Sequence, residues 1–142
     1  MIMDIVSALV VIALLLAGAT ALGLVVRARS ARVASGCGGD EHDLSVDGAE
    51  VTLVQLSSPV CSACVAMRRV LGDLAAADGT VAHRELDVTD HLDVAQRHSV
   101  YSTPTTLVLD AEGRVRSRLI GAVRPDEVRS AVDEARSALV AA

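Results

Sequence analysis

Two cysteines in the order Cys61-Ser-Ala-Cys64 are the residues of this chain best placed to do chemistry. On a helix, residues three apart lie on one face about a turn from each other, so the two sulfurs can meet. A cysteine at a helix N-terminus meets unpaired N–H groups and partial positive charge. Both favour thiolate over thiol and lower the thiol pKa below the free value of about 8.5. Cys61 takes that place if a helix starts there, while Cys64, one turn on, is better shielded. The arrangement implies a division of labour: Cys61 attacks or is attacked to form a mixed disulfide, and Cys64 resolves it by intramolecular displacement. The same spacing also serves as half of a zinc site, in which Cys37 and His42 would supply the missing ligands. Those two lie on a glycine-rich, acidic stretch, which makes a poor metal scaffold. His42, His83, His91 and His98 show no metal-ligand spacing of their own, and no metal is expected.

The rest of the composition narrows the field. All 13 basic residues are arginine, so no lysine is present to form a Schiff base or to grip a nucleotide phosphate. There is no Trp, no Phe and a single tyrosine, Tyr101, so no aromatic platform for nucleobases exists, and a formal net charge of −5 argues against binding a phosphate backbone. No nucleic-acid partner is expected. At 142 residues, 51% hydrophobic and 22% charged, the chain suits one small domain with an appendage.

The elements that must position the dithiol follow from hydrophobic patterning. Glu50 to Leu56 is a short, apolar, β-branched run and predicts a strand. After the loop Ser57-Ser58-Pro59-Val60, apolar Val65, Val70, Leu71 and Leu74 recur at helical spacing over Cys61 to Ala77. Val81 to Val88 predicts the next strand, and Asp90 the N-cap of a helix over His91 to His98. Thr105 to Leu109 and Arg114 to Ile120 predict a hairpin about the turn residues Asp110-Ala111-Glu112-Gly113. Arg114, Arg116 and Arg118 alternate along its second strand and are expected to share one solvated face. Gly121 precedes a last helix from Arg124 to Val140 with Pro125 in its first turn. The order β-α-β-α-β-β-α combines a parallel pair joined by a right-handed crossover with an antiparallel hairpin. That combination is an α/β fold with a mixed sheet flanked by helices.

Ahead of this lies a different kind of sequence. From Ile5 to Val26, 22 residues carry no charge, between Asp4 and Arg27. At about 1.5 Å per residue the run reaches roughly 33 Å, enough for a hydrocarbon core of about 30 Å. The expected organisation is an N-terminal tail (1–4), one transmembrane helix (5–26), a basic and then glycine-rich, acidic linker (27–48), and the α/β domain (49–142). Arg27, Arg29 and Arg32 follow the span directly, so the charge bias places the domain on the cytoplasmic side, with the extracytoplasmic side as the alternative.

Residues 50–140 resemble the thioredoxin superfamily, and the membrane-anchored small thioredoxin-like proteins of actinobacteria in particular. Cys61-Ser-Ala-Cys64 aligns with the family's C-x-x-C. Thr103-Pro104-Thr105 aligns with the loop whose proline is cis and faces the dithiol. Ile120-Gly121-Ala122 aligns with the glycine lining the substrate groove, and the 40 residues from Cys64 to Pro104 fit the family's spacing. The resemblance implies thiol–disulfide exchange on protein substrates, reduction by an upstream dithiol, and no cofactor beyond the redox-active Cys61–Cys64 disulfide. It assigns Thr103, Pro104 and Gly121 to substrate binding. Gln55 stands where the family often carries a buried aspartate, and Glu85 where it carries a lysine, which leaves the deprotonation of Cys64 to Glu85, the candidate proton relay, or to water. A more specialised extracytoplasmic reductase, of the kind serving cytochrome c maturation, is the neighbouring reading.

Overall fold

The computed structural model of the protein describes residues 12–21 and 41–140. The chain divides into two compact units, residues 1–32 and 33–142. In the first, residues 12–21 are helical, with the side chains of Ile12, Leu14, Leu15 and Leu16 exposed. The remainder of the expected 5–26 span lies outside the described residues, as does Cys37. Among the described residues, no helix is long and apolar enough to cross a membrane.

The second unit holds a four-stranded sheet of order β2-β1-β3-β4. Its strands are β1 (Val51–Ser57), β2 (Val81–Asp87), β3 (Thr105–Asp110) and β4 (Val115–Ile120), and its helices α1 (Ser62–Ala77), α2 (Leu92–Arg97) and α3 (Pro125–Val140). β1 pairs parallel with β2 across the α1 crossover, while β1–β3 and β3–β4 are antiparallel. β1 and β3 are buried along their whole length because helices cover both faces of the central strands, so neither alternates between a buried and a solvent-facing side. On one face Val51, Leu53, Val108 and Leu119 pack with Met67 and Leu71 of α1 and with Val128, Ala131, Val132 and Ala135 of α3. On the other, Val54, Leu56, Leu86, Leu107 and Leu109 pack with Val94 and Ala95 of α2.

Four expectations from sequence meet a different outcome here. The packed unit reaches back to residue 41, into the stretch read as linker. Leu44 completes the core on the α2 side, the Glu41 N–H donates to the Gly113 carbonyl (2.9 Å), and the buried Glu41 carboxylate accepts from Arg97 Nη1 at 3.0 Å. Its acidic look came from a charge whose partner lies 56 residues away. Asp90 does not cap α2. The N-cap is His91, which makes no side-chain capping bond, and the preceding turn is organised by Asp87, whose Oδ1 accepts from the Thr89 backbone and hydroxyl. Arg114 and Arg116 do not simply face water. Both turn onto the buried Asp110 carboxylate, at 3.2 and 2.6 Å. Finally, α1 buries Cys64, Met67 and Leu71, leaving Val65 exposed beside the dithiol.

Candidate active site

β1 ends at Ser57, and the four-residue loop Ser58–Cys61 delivers the chain to the start of α1. Cys61 is the N-cap of α1, with φ −95° and ψ 100°. Its sulfur accepts the Cys64 N–H at 3.1 Å, so it occupies the position where a serine or aspartate oxygen usually satisfies the helix end. The two cysteines are joined as a disulfide with Cα atoms 5.3 Å apart. Cys64 is 1% exposed, whereas Cys61 is only half-buried, so a partner can approach one sulfur and not the other.

Two further loops assemble about this end of the sheet. The Thr103–Pro104 peptide is cis. The Thr103 hydroxyl lies 3.4 Å from that of Ser58, which ties the proline loop to the loop before Cys61. The Pro104 carbonyl accepts the Gly121 N–H at 2.7 Å, so the ends of β3 and β4 are held together. Gly121 has φ +80°, a backbone conformation that a side chain would strain, and open space surrounds the position a Cβ would take. The fold thus brings together Cys61, Cys64, Thr103, Pro104 and Gly121, which are scattered over 61 residues of sequence. At the same end Val60 (95% exposed) and Tyr101 (93%) on these loops, and Ile120 (49%) at the end of β4, present apolar surface to solvent.

Glu85 sits on β2 at the edge of a groove of about 350 Å³ that Cys61, Ser57, Val65 and Arg68 also line. Its carboxylate is gripped by Arg68, whose Nη2 donates at 2.7 Å and Nε at 2.5 Å. That pairing holds the Glu85 pKa below the usual carboxylate range and raises that of Arg68. Glu85 is therefore a committed, weakly basic carboxylate, and any proton relay through it must first loosen this ion pair.

The sequence reading missed the polar contact beneath the dithiol. Gln55 is fully buried in the middle of β1, and its Nε2 donates to the Cys64 carbonyl at 2.9 Å. Its Oε1 is 3.2 Å from Nε2 of His83 on β2. Burial pushes the His83 pKa below its ordinary value; the neighbouring Glu85 charge works upward and that of Arg68 downward. The available signal was a lone amide between apolar Val54 and Leu56, at a position whose alternation points it toward α1. Among the described residues, no group of three or more His, Cys, Asp or Glu side chains could hold a metal ion.

A buried and an accessible cysteine linked across the first turn of a helix, on a mixed sheet with helices on both faces, define a thiol–disulfide oxidoreductase of the thioredoxin type. A family model described as a thioredoxin-like domain matches residues 44–136, and the chain belongs to that family. Among solved structures, oxidised mitochondrial thioredoxin 3 of Saccharomyces cerevisiae superposes with TM-score 0.57 at 20% identity, over 66% of this chain and 85% of that one. A thioredoxin of Nicotiana alata gives TM-score 0.54 at 29% identity, over 61% and 74%. A mutant thioredoxin of Halobacterium salinarum gives 0.56 at 19%, over 62% and 76%. At 20% and 19%, the yeast and Halobacterium likenesses are likenesses of fold. No curated protein matches the chain.

Proposed function

We propose that the chain is a membrane-tethered protein-disulfide reductase in which Cys61 attacks and Cys64 resolves. The observation that carries the reading is the asymmetry of the pair: a half-buried sulfur at the helix N-cap, accepting the Cys64 N–H, above a sulfur shielded from solvent. In the reduced protein the same N–H and the helix end stabilise a Cys61 thiolate. The thiolate attacks one sulfur of a substrate disulfide, forming a mixed disulfide and releasing the other sulfur as a thiolate. Cys64 then loses its proton and attacks Cys61. The Cys61–Cys64 bond forms, the second substrate sulfur leaves, and two electrons have passed to the substrate. An upstream dithiol restores the pair and is itself oxidised to a disulfide. An extended substrate would lie along the backbone at Thr103 and Pro104 as an added strand, with Gly121 leaving room for it. Val60, Tyr101 and Ile120 offer the apolar contact a protein substrate needs. The test is reduction of a protein disulfide by the dithiol form. The reduced chain should lose two alkylatable thiols among Cys61 and Cys64 as substrate is consumed, and Cys61→Ser should abolish turnover. Bound zinc at one per chain, released as the fold is lost, would contradict the reading.

The tether rests on the uncharged run from Ile5 to Val26. It is supported by the exposed leucines of residues 12–21 and by the Thr20 hydroxyl, which donates back to the Leu16 carbonyl at 2.8 Å, as a helix in an apolar medium requires. The likeness to membrane-anchored small thioredoxins belongs to this reading. With Arg27, Arg29 and Arg32 after the span, the domain faces the cytoplasm and works as a reductant in a reducing pool. Reporters fused after Ala142 test the side. A fluorescent cytoplasmic fusion agrees, whereas active alkaline phosphatase there would move the protein to the extracytoplasmic redox class.

A further inference from the structure

The buried chain His83–Gln55–Cys64 has a fixed direction. The Cys64 carbonyl can only accept, so the Gln55 end facing it at 2.9 Å is the NH2 group. The other end of the amide is then its oxygen, which also can only accept. The His83 Nε2 atom, 3.2 Å away, must therefore carry a hydrogen. That leaves Nδ1 as the ring atom that gains or loses a proton. The hydrogen-bonded chain stays intact in both charge states, so protonation changes the charge beneath the first turn of α1 without changing its geometry. Two charges face the imidazole: Glu85 on its own strand and Arg68 from α1. They are paired with each other and act in opposite senses, while Gln55 on β1 is neutral. The ring is left poised to respond to a new charge on the dithiol.

We propose that His83 is a positioning residue for the dithiol, fixing Cys64 through Gln55 and holding at Nδ1 a proton taken up when the Cys61–Cys64 disulfide is reduced. This rests on the proposed reductase reading and adds a pH dependence to it. The step balances. A dithiol donor gives two electrons and two protons and becomes a disulfide. The protein receives them as one thiol, one thiolate and one imidazolium. The sign follows from linkage. Burial holds the His83 pKa low in the oxidised protein, and the Cys61 thiolate at the N-cap of α1 raises it on reduction. Between the two values, reduction takes up one extra proton, so the disulfide becomes easier to reduce as pH falls through that window. Below the window His83 is charged in both states and above it neutral in both, so the extra dependence vanishes on either side.

The experiment is a pH titration of the histidine ring nitrogens by NMR on the full chain, oxidised and reduced with dithiothreitol. Nε2 of His83 should stay protonated while Nδ1 titrates. Its midpoint should rise by about one unit on reduction, about a tenfold gain in proton affinity. Equal midpoints in the two states would overturn the proposal. So would a titrating Nε2. The redox equilibrium of His83→Gln with dithiothreitol gives a second readout. This variant keeps an N–H donor toward Gln55 but cannot ionise, so the extra pH dependence should be lost, and a profile matching the wild type would overturn the proposal. The ring titration needs no variant, so a misfolded His83→Gln leaves the test standing. Failure of the reductase reading looks different, because Cys61→Ser would then still turn over disulfide, whatever His83 does.

Discussion

Asp110 closes β3 and starts the turn of the hairpin whose open end carries both Pro104 and Gly121. Its side chain is fully buried and accepts four hydrogen bonds. Oδ1 takes the backbone N–H groups of Glu112 (3.1 Å) and Arg114 (2.9 Å), and Oδ2 takes Nε of Arg114 (3.2 Å) and of Arg116 (2.6 Å). Asp110→Asn keeps the shape, removes the charge, and turns an NH2 group toward one pair of donors. A charge-assisted hydrogen bond contributes about 1.5–3 kcal/mol, and the half-exposed arginines can recover part of their loss from water. The partly buried backbone donors recover less, so the expected cost at pH 7 is about 2–4 kcal/mol. Burial alone would raise the Asp110 pKa, but the hydrogen bonds from the Arg114 backbone and the Arg116 guanidinium outweigh it and hold the value below the ordinary range. A depressed folded-state pKa contributes stability that is present above the unfolded value of about 3.9 and is lost as pH falls through the folded one. Urea denaturation followed by circular dichroism should therefore show a wide gap between wild type and Asp110→Asn at pH 7 that closes below about pH 4. A gap under about 0.5 kcal/mol at pH 7, or one that stays constant with pH, would refute the reasoning.

Two other substitutions probe the scaffold. Gly113→Ala meets both a φ of +76° and the His42 backbone, whose Cα would lie 2.8 Å from the new Cβ, so it should cost roughly 2 kcal/mol or more and lower Tm by roughly 10 °C; an unchanged melt would refute the packing of residue 42 on the hairpin. Leu71→Ala empties a fully buried position between α1 and the sheet and should cost about 2–5 kcal/mol in denaturant, while exchange per folded molecule at low temperature stays near wild type because the first turn of α1 is held separately through Gln55.

How much of this was legible in the sequence depends on the range of the interaction. The order of strands and helices was readable because each element carries its own periodicity, and the glycine and proline punctuation between them is local. The dithiol was readable because a helix N-terminus and a spacing of three are local too. Two of the contacts that escaped involve partners distant in the chain. Glu41 finds Arg97, and Gln55 finds His83 only once β1 and β2 are paired in register. Asp110 draws in Arg114 and Arg116 because the β3–β4 register shifts at Val108/Leu109 and the turn brings those side chains back. Asp90 has the residue type of a cap, but the backbone puts His91 at the N-cap and leaves the turn to Asp87, whose side chain takes Thr89 and whose carbonyl takes the Asp90 and His91 N–H groups.

The central claim is that Cys61 attacks and Cys64 resolves, and trapping tests it most directly. Cells expressing the Cys64→Ser chain should accumulate mixed disulfides through Cys61 that collapse on reduction, while cells expressing Cys61→Ser should yield none above background. Equal trapping by the two variants, or trapping by Cys61→Ser alone, would contradict the account.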